Sequence, residues 1–206
     1  MKTAWFGSLS VAVLLSGPPR VSAIDTDITP GDVQRAITIA VSPKSARDRF
    51  HAAYRVRLND AIVQDLEVIT EFRRFVMASE EQLLLGNWML ARGGFDSKGR
   101  TLRDILKPYN GQVSIRASLR FHPHNSYRDI PPIEATISEP SFLPLDVVRT
   151  PIWSNSADAV GPVPLSGAVI ETFFNAASFH DRTFPLAIVF EGKELVRVAV
   201  DFSKLE

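Results

Sequence analysis

From Val113 to Phe121 the chain alternates without a break. Val113, Ile115, Ala117, Leu119 and Phe121 are apolar, and Ser114, Arg116, Ser118 and Arg120 lie between them. A period of two sends successive side chains to opposite faces, so this segment reads as a strand with one face in a core. Similar patterns recur to the C-terminal end, separated by turn residues. Ile133, Ala135 and Ile137 alternate after Pro131-Pro132, Leu145 to Trp153 reads as extended, and Val169, Glu171 and Phe173 alternate within Ala168 to Asn175. Leu186 to Phe190 and Leu195 to Phe202, joined by Glu191-Gly192-Lys193-Glu194, read as a hairpin. Its second arm would point Val196, Val198, Val200 and Phe202 inward. Ser154 to Pro164 carries the residues of a surface loop.

The N-terminal half mixes helix signals with strand signals. Thr29 can cap a helix that has Pro30 at its first position and Asp32 completing a capping box, with Val33, Ala36, Ile37, Ala40 and Val41 at helical spacing. Ser45-x-x-Asp48 predicts a second, short helix ending near His51, and Tyr54, Val56 and Leu58 alternate with Arg55 and Arg57 as a short strand. Val63 to Met77 is rich in β-branched and aromatic residues, which predicts one long strand with Leu66, Val68, Thr70 and Phe72 on one side. Arg73-Arg74 would interrupt it at a bulge, although Leu66, Ile69, Phe72 and Val76 also suit a helix face. Ser79-x-x-Gln82 predicts a new helix running through Leu83, Leu84 and Leu85 toward Trp88 and Ala91 and ending at Gly93-Gly94. Thr101-x-x-Asp104 opens another, closed by Pro108. The expected fold is mainly β: an antiparallel sandwich of about eight strands, with three or four short capped helices covering one end or edge.

The first residues carry a different signal. Met1-Lys2 is a positive start, Ala4 to Leu15 is apolar except for Gly7, Ser8 and Ser10, and Gly17-Pro18-Pro19 stops any helix. Val21-Ser22-Ala23 then sets small residues before a cleavage point between Ala23 and Ile24, the layout of a secretory signal peptide. The apolar run falls well short of the ~20 residues that cross a bilayer. Residues 1–23 are therefore expected to be removed on export to the bacterial periplasm or beyond, leaving 24–206 as a single domain with no membrane span. There is no cysteine, which excludes disulfides, thiol catalysis and Cys-based metal or haem sites. The stretch through Arg128 is net basic and the stretch from Asp129 onward net acidic. Two solvated faces that attract one another within one fold account for this asymmetry, as does a charged partner.

No catalytic signature is present: neither Gly-x-Ser-x-Gly nor His-Glu-x-x-His occurs. Gly94-Phe-Asp-Ser-Lys-Gly99-Arg100-Thr101 resembles a phosphate-binding loop, but Arg100 replaces the lysine and no strand precedes it. Asp25-x-Asp27-x-Thr29 resembles the start of a calcium loop without its glycine or closing glutamate, and is better read as a helix cap. His122 and His124, at i and i+2 in an extended segment, can share a Zn²⁺ or Cu²⁺ if His180, Asp181 or Asp129 joins them. Any two of Glu67, Glu71, Glu134 and Glu171 could form a carboxylate pair, though as a group they read as outward strand positions. The most suggestive feature is arginine beside aromatics: Tyr54-Arg55-x-Arg57, Phe72-Arg73-Arg74-Phe75, and Arg116 with Arg120 on one strand face. These predict a basic stripe able to meet phosphate, sulfate or carboxylate, unless the arginines pair with acids such as Glu67 and Glu71.

The expected function is a non-enzymatic binding or interaction module of the cell envelope, with Arg73, Arg74, Arg116 and Arg120 as ligand contacts. The alternative is a small hydrolase or metal-binding protein centred near His122 and His124. The expected partner is an envelope protein, an anionic polysaccharide or lipid surface, or a second copy of the chain. Neither a cofactor nor nucleic acid is expected.

Overall fold

The computed structural model describes residues 28–137, 142–154, 163–179, 183–202 and 205. The predicted signal peptide and the Asp25-x-Asp27 pattern lie outside these residues, as do His180, Asp181 and most of the predicted loop at 154–164. Helix α1 is Pro30–Ala40, α2 Lys44–Ala52, α3 Glu71–Leu84, α4 Trp88–Ala91 and α5 Leu102–Leu106. The strands are β1 Arg55–Arg57, β2 Val63–Ile69, β3 Gln112–Arg120, β4 Ile133–Ile137, β5 Asp146–Trp153, β6 Leu165–Asn175, β7 Thr183–Phe190 and β8 Lys193–Asp201. They form two antiparallel sheets, one in the order β1-β2-β3-β6-β5 and one in the order β4-β7-β8. The mainly-β architecture expected from the alternation is the one found.

The alternation of β3 does what its period requires. Val113, Ile115, Ala117 and Leu119 are buried and stand opposite Phe174, Thr172, Ile170 and Ala168 of β6. Leu66 and Val68 of β2 extend the same face. Ile133, Ala135, Ile137, Phe184, Leu186, Ile188 and Val200 of the smaller sheet join them in one core, so the sheets pack face to face as a sandwich. Phe142, Phe174, Phe179, Phe184 and Phe202 meet at its centre, their rings 4.8 to 6.5 Å apart in mostly edge-on or tilted pairs. Aromatic pairs favour such geometry, and five large rings fill the gap between the layers. The β7–β8 turn is tighter than the sequence suggests. Only Glu191 and Gly192 lie outside the strands, both at positive φ (49° and 76°), the twist a two-residue hairpin needs.

The largest departure from expectation lies between Val63 and Met77. Leu66 and Val68 alternate into the core as predicted, but the strand ends at Ile69. Thr70 accepts a hydrogen bond from the Arg73 amide at 3.2 Å and starts α3. Phe72, Phe75, Val76 and Ser79 are its buried face, a 3.6-residue period that β-propensity had masked. One N-cap outweighs the strand preference of the residues after it, because their apolar positions fit a helix better. Ser79 starts no new helix; it is buried inside α3, which instead ends at Leu85 and Gly86 before the short α4. The capping boxes at Thr29/Asp32 and Thr101/Asp104 form as predicted. α2 begins one residue earlier than Ser45, at Lys44, and has no side-chain cap.

Helices α1, α3, α4 and α5 share a second core of Ala36, Ile37, Ala40, Phe72, Phe75, Val76, Leu90 and Leu102. This layer sits against the outer face of the larger sheet, where Ser114 and Phe173 lie. On β6, Gly167 passes so close to β3 that a β-carbon would collide with the Leu119 carbonyl oxygen. Gly167→Ala should therefore cost about 1–3 kcal/mol, although alanine usually suits a strand no worse than glycine. Urea denaturation of the two proteins measures the difference.

Candidate functional site

The outer face of the larger sheet carries a row of alternating charge. Arg55 of β1 is the direct cross-strand neighbour of Glu67 on β2, Glu67 of Arg116 on β3, and Arg116 of Glu171 on β6. Directly opposed side chains of opposite charge attract, so register alone brings these four together. The capping turn at Thr70 then folds α3 back over the row, and its two consecutive arginines reach different glutamates. Arg73 meets Glu67 Oε2 at 3.3 Å and gives a 2.6 Å hydrogen bond to the Val68 carbonyl. Arg74 gives 3.3 Å to Glu171 Oε1 and 2.7 Å to Ser114 Oγ.

Each glutamate is saturated. Arg55 Nε donates to Glu67 Oε1 at 2.6 Å, and its Nη2 pairs with the same oxygen. Arg116 donates through Nε and Nη2 to Glu171 Oε2, at 3.2 and 2.8 Å, while Ser114 Oγ donates to Oε1 at 2.6 Å. Aromatic rings complete the seats of both helix arginines. Arg73 lies 5.1 Å from the Tyr54 ring centre, and Arg74 lies 4.7 and 5.2 Å from those of Tyr109 and Phe173. Arg73 is 1% exposed and Glu67 4%. Charges this deep persist only when paired and hydrogen-bonded, as these are.

The network opens into a cleft of about 890 Å³ between α2, β1 and α3. Arg55, Arg57 and Arg116 form its strand side, Asp48, Glu80 and Glu81 its helix side, and Arg73 reaches in from α3. Lys44 is tied to Asp48 at 2.6 Å. His51 bridges the two sides: its Nε2 is 3.0 Å from Glu80 Oε2, and its Nδ1 accepts from Arg73 Nε at 3.5 Å. With Nδ1 accepting, the ring proton sits on Nε2 and points to Glu80. Arg57, at the exposed rim, has no ion pair among the described residues.

Burial alone would raise both glutamates, but the guanidiniums win. For Glu67, burial is outweighed by Arg73 and Arg55; for Glu171, by the Ser114 hydrogen bond and Arg116. Both carboxyls are held below the usual 4.5. Burial pulls Arg73 and Arg74 below the ordinary arginine value, while Glu67 and Glu171 oppose it.

Three of the four predicted arginine contacts come together here: Arg73, Arg74 and Arg116. Arg120 shares the β3 face of Arg116 but lies four residues further along, exposed, beside Pro123, Asn125 and Ile152 in a separate cleft. The anticipated pairing with acids is real at Glu67, and Glu71 stands apart from that pair. It sits in the first turn of α3 and accepts from the Gly111 amide at 3.2 Å. Glu134 is exposed on β4. His122 and His124 stand with ring centres 5.4 Å apart, both exposed, and His122 Nδ1 accepts from the His124 amide at 3.2 Å. Among the described residues no group of three His, Asp or Glu is placed to hold a metal. Arg100, at the lysine position of the phosphate-loop pattern, is clamped by Asp96 at 2.8 Å. His51, Glu80 and Ser114 were not legible as site residues, since none lies in a pattern that singles it out.

No protein-family model, curated protein or solved structure matches the chain. Among the described residues no helix is long and apolar enough to cross a membrane.

Removing one partner of a buried pair leaves the other charge uncompensated, so Glu171→Gln, which deprives Arg74 and Arg116 of their carboxylate, should cost about 3–5 kcal/mol. Because the folded values of Glu67 and Glu171 lie below 4.5, their contribution is complete above that pH and is lost as pH falls through the folded values. The melting temperature of the native chain should drop as the solution is acidified below that point, and that of Glu171→Gln should drop less steeply. Thermal unfolding from neutral to acid pH reads both.

Proposed function

We propose that this protein is an exported, non-catalytic binding module of the cell envelope that takes an anionic polysaccharide in the cleft between α2, β1 and α3. The observation that carries this reading is the guanidinium cluster that faces the cleft. Arg55, Arg73 and Arg116 reach it from the ion network and Arg57 stands at its rim; with Lys44 they face four carboxylates, Asp48, Glu67, Glu80 and Glu81, which leaves one positive charge in surplus. A surplus of positive charge in a partly desolvated cleft attracts a carboxylate or sulfate, and guanidinium binds either through paired hydrogen bonds.

The residues lining the cleft favour binding over chemistry. None is a serine, threonine or cysteine, so no side-chain hydroxyl or thiol nucleophile faces His51. Both His51 nitrogens are occupied, by Arg73 and Glu80, and Glu67 is held ionised. A saturated carboxylate is a poor proton donor. Export rests on the layout of residues 1–23 and agrees with a chain that needs no disulfide.

Titration calorimetry with oligosaccharides bearing uronate or sulfate, against neutral ones of the same length, tests the reading. Binding should be confined to the anionic set and should weaken with salt. Arg57→Glu, an exposed change, should lower affinity by at least about tenfold, as loss of a charge-assisted contact does. Absence of heat with every anionic oligosaccharide would sink the proposal. Stoichiometric zinc or copper in the native protein, lost from a His122→Ala/His124→Ala variant, would favour the metal-centred alternative.

A further inference from the structure

The helical layer ends in an apolar tip that the fold leaves uncovered. Leu84 and Leu85 close α3, Trp88 and Met89 open α4, and Phe95 follows the glycine pair. These five are 85, 65, 57, 72 and 60% exposed. Trp88, Met89 and Phe95 line one shallow cleft of about 430 Å³, so they share a side of the tip. Isolated apolar residues on a surface need no explanation, but three large ones around one cleft, with Leu84 and Leu85 close in sequence, form a patch that marks an interaction site.

Two observations say what covers it. The first is charge. Arg92 and Lys98 are exposed beside the patch, and neither has a carboxylate partner among the described residues. Arg92 lies 5.8 Å from the centre of the Trp88 ring. Of the nearby acids, Asp96 clamps Arg100 and Asp104 caps α5, while Glu81 faces the α2–α3 cleft. The second is the backbone. The amides of Leu85, Gly86, Asn87, Arg92, Gly93 and Gly94 donate to carbonyls within the segment, and the Asn87 side chain donates to Gln82 at 2.7 Å. The amides of Trp88, Met89, Leu90 and Phe95 have no backbone acceptor among the described residues, so the segment suits the wet boundary at the headgroups and not the acyl core.

Indole and phenyl rings beside free cations are the composition of an interfacial anchor. We propose that this tip docks peripherally on a bilayer containing anionic lipids. Trp88, Met89 and Phe95 enter the boundary between headgroups and acyl chains, and Arg92 and Lys98 meet lipid phosphates. The contact is with one leaflet, which suits a chain whose described helices are too short to span.

Cosedimentation of the full chain with phosphatidylcholine vesicles carrying about one third phosphatidylglycerol tests this, with pure phosphatidylcholine as reference. The native protein should bind the anionic vesicles and release as salt is raised. Trp88→Ser/Phe95→Ser should bind at least about tenfold more weakly, and Arg92→Glu/Lys98→Glu should lose the preference for anionic vesicles. All four side chains are exposed, so circular dichroism and melting temperature should match those of the native chain. Every variant carries residues 1–23, so binding through that apolar run would survive the substitutions. Unchanged vesicle binding by Trp88→Ser/Phe95→Ser therefore overturns the proposal. A native dimer that shows no vesicle binding, and that this variant converts to a monomer, overturns it too, and makes the tip an interface between copies.

Discussion

Two glutamates that face out from the sheet, yet lie beneath a helix, hold the two layers of this protein in register. Glu67 and Glu171 stand on either side of β3, separated by two strand spacings, about 10 Å. Arg73 and Arg74, adjacent on α3, diverge by the helical turn angle and reach one glutamate each. A helix that slid along the sheet would break both ion pairs as well as its packing in the helical core. The angle and height of α3 over the sheet follow from that constraint. So does the cleft, which exists because α2 and α3 are held away from β1 by a layer of long side chains.

The two cores show why such a layer is needed. The sandwich core is apolar and aromatic, centred on five phenylalanines, and is built from strand and loop residues. The helical core, built from α1, α3, α4 and α5, is closed on itself in the same way. What lies between them is polar, and polar groups between layers must be paired or hydrated. Pairing dominates at Glu67 and Glu171, where both carboxylates are saturated by arginine and serine donors. Hydration dominates at the cleft, where Arg57 and Glu81 reach solvent. A binding surface at the edge of a structural ion network thus arises without any residue having to serve one role alone.

Much of the fold was legible in advance. The strands β3, β4, β7 and β8 follow from two-residue alternation, and α1 and α5 from capping boxes, because these signals belong to single segments. Val63 to Met77 misled for a definable reason. Its β-branched and aromatic residues satisfy both periods, and only the stability of a Thr70-capped helix against Ala36, Ile37 and Leu90 decides between them. The site was half legible. Arg73, Arg74 and Arg116 stood out as arginines beside aromatics, but Arg120 shares only their face and not their place. His51 carried no local signal, since a lone histidine on a short polar helix resembles any other surface residue.

By itself the sequence determined the period of each strand, the caps of two helices, the absence of any cysteine chemistry and the presence of a cationic, aromatic-flanked set of arginines. Tertiary structure alone decided that those arginines are neutralised in part by Glu67 and Glu171, that the strand after Ile69 turns into a helix, and that Leu84, Leu85, Trp88, Met89 and Phe95 stay uncovered. The division has one physical cause. Periodicity and capping act over a single turn or strand, so they can be read along the chain. Charge pairing and burial depend on which distant segments become neighbours, and only strand register and the seating of α3 settle that.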